Sequence, residues 1–108
     1  PREKMTGIFV DVDGTLIQGK RLNADLIHDL EDLKKDNGGL AIFIVTGGNP
    51  EAAQERLTEL KLPLHLFTLP VLSKELLRGK EVSVLIDDTP ASFQGIKADR
   101  YIYPNDPL

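Results

Sequence analysis

Cysteine is absent from this chain of 108 residues, so neither a disulfide framework nor a thiolate metal site can form. The absence fits a cytoplasmic protein. Long apolar runs are also missing. The longest, Leu40 to Val45, falls far short of the roughly 20 residues that span a bilayer, so no membrane contact is expected. Positive charge is not in excess: the formal net charge is −4, which argues against binding nucleic acid by phosphate neutralisation alone. Contact limited to a nucleic-acid end stays open. Aromatic residues make up only 6%, and Phe93, Tyr101 and Tyr103 read as packing rather than as a base-stacking platform. No stretch reads as a signal peptide, and a start at Pro1 reads as trimmed, with Met5 as the natural initiator.

The chain does have punctuation. Ile8-Phe9-Val10 is an apolar run that delivers Asp11 and Asp13 into a Gly14-Thr15 turn. Asn23 reads as an N-cap, Leu26, Ile27, Leu30 and Leu33 recur at helical spacing, and Gly38-Gly39 ends that helix. Leu40 to Val45 reads as a second strand ending in Thr46-Gly47-Gly48. Asn49-Pro50-Glu51 opens a second helix that Pro63 closes. Leu64 to Phe67 reads as a third strand with Pro70 in the loop after it, and Ser73 caps a short helix reaching Leu77. Val82 to Ile86 is a fourth strand running into Asp87-Asp88. A helical turn over 91–96 and a short fifth strand, Tyr101 to Tyr103, complete the chain.

Strands alternating with helices predict right-handed crossovers and a parallel sheet covered on both faces, a three-layer α/β fold in one domain over 1–108. In such a sheet the carboxyl ends of all strands lie along one edge. Asp11, Asp13, Thr46, Lys74, Asp87 and Asp88 should therefore converge there. Lys80 competes with Lys74 but precedes the fourth strand. It lies at the opposite edge, roughly 20 Å from Asp87.

Together these residues suit phosphoryl transfer. One carboxylate attacks phosphorus, and the second, two residues on, handles the leaving-group proton. A hard cation such as Mg²⁺ takes oxygen ligands and offsets the acidic charge. Thr46 and the amides after it can donate to phosphoryl oxygens, Gly47-Gly48 lets backbone come close, and Lys74 supplies positive charge. Taken singly, each feature is ordinary: a turn dipeptide, a loop, a solvated lysine. Their order carries the reading.

That order resembles the haloacid dehalogenase (HAD) superfamily of phosphatases and phosphotransferases. Asp11-Val12-Asp13-Gly14-Thr15-Leu16 is similar to its first motif, Thr46 to its second, Lys74 to its third and Asp87-Asp88 to its fourth, over Ile8 to about Tyr103. The resemblance implies Asp11 as nucleophile, Asp13 as general acid/base, and Thr46 and Lys74 as holders of the phosphoryl group, with Thr15, Gly47 and Gly48 lining the substrate. It implies Mg²⁺ on Asp11, the Asp13 carbonyl and the Asp87-Asp88 pair, with Asp88 the more direct ligand. It also implies a five-stranded, mostly parallel Rossmann-like sheet with the first strand central.

One departure is the lack of room for the family's cap insertion, either between Thr15 and Asn23 or between Phe67 and Ser73. An open site suits a bulky or macromolecular phosphate, or cover from a second subunit, with Lys20 and Arg21 as local anion contacts. Two rivals remain. A phospho-accepting receiver domain has similar parts, but places its acidic pair after the first strand and its acceptor Asp after a middle one. A non-catalytic metal- or partner-binding domain would keep the fold without turnover.

Overall fold

The computed structural model describes residues 3–90 and 94–108. Its centre is a five-stranded sheet in the order β5-β4-β1-β6-β7, with every neighbouring pair parallel. The strands are β1 (Lys4–Asp11), β4 (Ile42–Thr46), β5 (Thr68–Ser73), β6 (Glu81–Ile86) and β7 (Lys97–Ile102). Helix α1 (Ala24–Asp36) joins β1 to β4, and α2 (Pro50–Glu59) follows β4. A two-strand antiparallel hairpin, β2 (Ile17–Gln18) and β3 (Arg21–Leu22), fills the turn expected before α1.

Both helices start where the caps predict. The Asn23 side chain accepts from the Leu26 amide at 3.3 Å, and the Asn49 side chain accepts from the Ala52 amide at 2.9 Å, with Pro50 in the first turn. Asn23 does a second job: its amide donates to the carbonyls of Thr15 and Pro104. The cap of α1 thereby ties the loop after β1 to the C-terminal segment.

Helices on both faces are seen only in part. The buried faces of α1 and α2, through Leu26, Ile27, Leu30, Ala53 and Leu57, enter one core cluster with Ile8, Val10, Ile42 and Ile44. A second cluster holds Phe9, Val45, Val82 and Leu85, closed by Leu77 and Ile96. Strand order explains this. The steps from β1 to β4 and from β4 to β5 run in the same direction, and right-handed crossovers then place both helices on one face. The return from β5 to β6 runs the opposite way across the sheet, and its Leu77 joins the second cluster. Between Ser73 and Glu81 there is length only for a 3-10 turn, Lys74–Leu77.

Two strands differ from expectation. The run Leu64–Leu66 is a 3-10 turn, and the third strand is Thr68–Ser73, with Pro70 inside it. Proline is tolerated there because β5 is an edge strand and needs no ladder donor on its outer side. The fifth strand begins at Lys97, four residues before the expected Tyr101. Its charged residues Lys97, Asp99 and Arg100 suit the opposite edge of the sheet, where unpaired backbone invites association. The helical turn expected over 91–96 lies partly outside the described residues, as does Phe93. Among the described residues no helix is long and apolar enough to cross a membrane.

Candidate functional site

Register brings the polar residues together. Asp11 pairs with Val45 and Thr46 with Ser73, while Val10 pairs with Ile86, so β1, β4, β5 and β6 end side by side. Asp11, Thr46, Lys74 and Asp87 therefore sit at one edge, as the alternating pattern predicts. Lys80 lies at the other, paired with Glu3 at 3.0 Å.

The cluster is built around Lys74. Its ammonium lies 2.9 Å from Asp11 Oδ1 and 2.7 Å from Asp87 Oδ2. All three groups are withdrawn from water: Asp87 is fully buried, Asp11 is 5% exposed and the Lys74 side chain 16%. Carboxylates so placed need partners, and the two acids are served unequally. Asp87 Oδ1 accepts from the Thr89 amide at 3.0 Å, and Asp87 Oδ2 accepts from Gln94 at 3.1 Å as well as from Lys74. Asp11 has Lys74 and the Thr15 hydroxyl, which donates to Oδ2 at 3.2 Å.

Protonation follows from that inequality. Burial pushes the Asp11 carboxyl up to about 7; Lys74 pulls it back, and the negative charge of Asp87 reinforces the rise. Burial also pushes Asp87 up, but Lys74, the Thr89 amide and Gln94 outweigh it and hold that group below the usual carboxylate range. Burial would lower Lys74, yet hydrogen bonds to Asp87 and Asp11 leave it raised. Tyr101 donates to the Asp87 carbonyl at 2.5 Å. Burial, with the charge of Asp87 adding to it, pushes the Tyr101 hydroxyl up to about 12.

Asp88 adds the third acid. Asp11, Asp87 and Asp88 each offer a carboxylate oxygen, and these atoms all lie within 4.8 Å of one another. Oxygen donors so grouped fit a hard divalent cation. Asp88 is exposed, whereas both oxygens of Asp87 already have protein partners. The Asp13 side chain is not in this group. It is 70% exposed and pairs with Arg56 of α2 at 2.8 Å, so only its backbone carbonyl is left for a role as metal ligand.

The other candidates divide. Thr46 is buried, and its hydroxyl accepts from the Gly48 amide at 3.1 Å, which curls the loop after β4. Gly47 shares a cavity of about 190 Å³ with Ser73, Lys74 and Gln94. Thr15, expected to line the substrate, is fully buried with its hydroxyl on Asp11. Lys20 and Arg21 are exposed on the β2–β3 hairpin. His28 and His65 both border a surface groove away from the acids, and His65 belongs to the 3-10 turn rather than to a strand.

Gly14 is required by this geometry. Its φ is +80°, and a Cβ there would stand 2.1 Å from Asp88 Oδ2. Asp88 is exposed and can swing away, so Gly14→Ala should fold. It should lose about 1 kcal/mol to backbone strain and, where the three acids hold a divalent cation, weaken its binding by displacing Asp88. Titration of the thermal shift with Mg²⁺ checks this; an unchanged midpoint would remove Asp88 from the cation site.

Arg56 and Gln94 reach the candidate site unannounced by the sequence, and Tyr101, read there as packing, bonds to the Asp87 carbonyl. Arg56 lies on an exposed helix position, and only its reach to Asp13 distinguishes it. No family model, no curated protein and no solved structure matches the chain.

Proposed function

We propose that the protein is a Mg²⁺-dependent phosphomonoesterase of the haloacid dehalogenase type, with a capless three-layer fold. The observation that supports it best is the buried Asp11–Lys74–Asp87 bridge with Asp88 close by, at the strand edge where parallel sheets bind ligands. Asp11, Asp87, Asp88 and the Asp13 carbonyl would hold Mg²⁺. When bound, the cation neutralises the acids and draws charge from the phosphoryl oxygens.

The residues then divide the work. An oxygen of Asp11 attacks phosphorus, the bond to the leaving oxygen breaks, and Asp13 gives that oxygen a proton. Water next attacks phosphorus and loses a proton to Asp13. The bond from phosphorus to Asp11 breaks, releasing inorganic phosphate. Lys74 lies beside Asp11 and can hold a phosphoryl oxygen as the carboxylate turns from it. The Gly47 amide and the hydroxyl hydrogen of Thr46 complete the cradle beside the cavity that Gly47 and Lys74 share, while the Gly48 amide is already given to the Thr46 oxygen.

Between β1 and α1 only the hairpin of Ile17–Leu22 intervenes, and Asp13 is open to solvent. Both features support a large phosphorylated substrate or a second subunit over the site.

The test is release of p-nitrophenol from p-nitrophenyl phosphate with Mg²⁺ or with EDTA. Turnover that needs Mg²⁺ and disappears in Asp11→Asn is the expected result. Mg²⁺ should also raise the melting temperature by binding the native state. Folded protein that binds Mg²⁺ without turnover would favour the non-catalytic domain. Turnover surviving in Asp11→Asn would overturn the nucleophile assignment.

A further inference from the structure

Arg56 is half exposed and gives one nitrogen, Nη2, to Asp13 Oδ1. A guanidinium has five N–H donors in a planar fork, suited to a carboxylate or phosphate held by two parallel bonds. Among the described residues Asp13 is its one ion-pair partner, which leaves most of the fork without a protein acceptor. The pair itself is exposed, with Asp13 at 70%, and exposed ion pairs exchange readily for other partners.

The charge of the site gives this weight. Asp11, Asp13, Asp87 and Asp88 crowd one edge, and Lys74 is engaged by two of them. A substrate with more than one anionic group meets repulsion there unless a further cation receives it. Arg56 stands beside Asp13, the residue proposed to protonate the leaving oxygen. In that mechanism a group held by Arg56 beside Asp13 belongs to the leaving group.

We infer that Arg56 binds a second oxyanion on the leaving group, taking it in place of Asp13, and so selects phosphomonoesters that carry a carboxylate or a further phosphate. This rests on the phosphatase reading. The exchange does two things at once: it anchors the leaving group and frees the Asp13 carboxyl to turn toward the leaving oxygen.

The experiment measures phosphate release with Mg²⁺ from glycerol 3-phosphate, 3-phosphoglycerate and glycerol 1,3-bisphosphate. These differ chiefly in whether the far end is a hydroxyl, a carboxylate or a phosphate. The wild type should favour one of the two anionic substrates by about 10-fold or more in kcat/KM, the scale of one charge-assisted hydrogen bond; which one it favours identifies the oxyanion that fits. In Arg56→Gln the ratio should fall to near one, and Arg56→Lys, which keeps the charge but not the fork, should restore part of it. Melting temperatures should stay near wild type, so a structural loss would not mimic the change. Turnover with no anionic preference, or a preference that survives Arg56→Gln, overturns the assignment of Arg56 alone. Release of p-nitrophenol from p-nitrophenyl phosphate with none from the three overturns the assignment of Arg56 alone; no release from any of the four overturns the phosphatase reading, and the assignment with it.

Discussion

Asp11→Asn should melt higher than the wild type in EDTA at pH 8, while losing at least 10³-fold of any phosphatase turnover. Both effects follow from removing one buried carboxylate. Burial holds the Asp11 carboxyl at about 7 in the folded chain, against 3.8 for the free group. Between those values the unfolded chain releases the proton and the folded chain keeps it. Stability from this group is therefore full below about pH 4, declines as pH rises, and is lost once pH passes 7. Asn carries no charge at any pH and escapes that decline. A shift of about 3 units corresponds to at most ~4 kcal/mol, and the loss of a partner for Lys74 reduces the net gain. The expected gap is on the order of 5–10 °C at pH 8, closing toward pH 4. The lowered Asp87 titrates below that window and does not interfere. Mg²⁺ should narrow the gap by stabilising the wild type more. Melting curves from pH 4 to 8 check this, and a gap that does not vary with pH would mean Asp11 is ionised throughout.

Lys74→Met should destabilise the fold strongly. Met fills similar volume but leaves Asp11 and Asp87 facing each other without the cation between them. Breaking a buried pair by removing one partner typically costs about 3–5 kcal/mol, which for a chain of this size is roughly 10 °C or more in melting temperature. The loss should be smaller at pH 5, where Asp11 is already protonated, and larger at pH 8. Mg²⁺ should recover part of it, because the same acids would then share a different cation. Circular-dichroism melts at both pH values with and without Mg²⁺ measure this. Equal melting temperatures for variant and wild type at pH 8 would show that the bridge adds nothing to the fold.

The sequence made the site's skeleton readable because its residues sit at fixed offsets from apolar runs. Asp11 follows Ile8-Phe9-Val10, and Asp87 follows Val82 to Ile86, so knowing the strands locates the acids. The same logic fixed Lys74 over Lys80, since one follows a strand and the other precedes one. Where apolar runs misled, a neighbour decided. Leu64 to Phe67 looks like a strand by composition, yet the chain pairs from Thr68, opposite Phe43, and uses the earlier run to cap the core with Leu66 and Phe67. The faces of the sheet were legible only through strand order, which no local pattern carries. Arg56 and Gln94 were illegible for another reason. Each acts through the reach of a long side chain from an ordinary position, and spacing along the chain carries no trace of that reach.

The central place of β1 has a consequence for hydrogen exchange. β1 is bonded on both sides, to β4 and β6, whereas β5 has a neighbour on one side only. Doubly bonded, buried backbone opens last, and edge strands open earlier and at lower free energy. Asp11 thus hangs from backbone that should exchange slowly, and Lys74 follows an edge strand that should exchange sooner. Transient fraying of β5 would withdraw the counter-charge while the acids stay in register. The bridge at the strand edge then breathes as a local event, separate from the unfolding of the sheet that carries it.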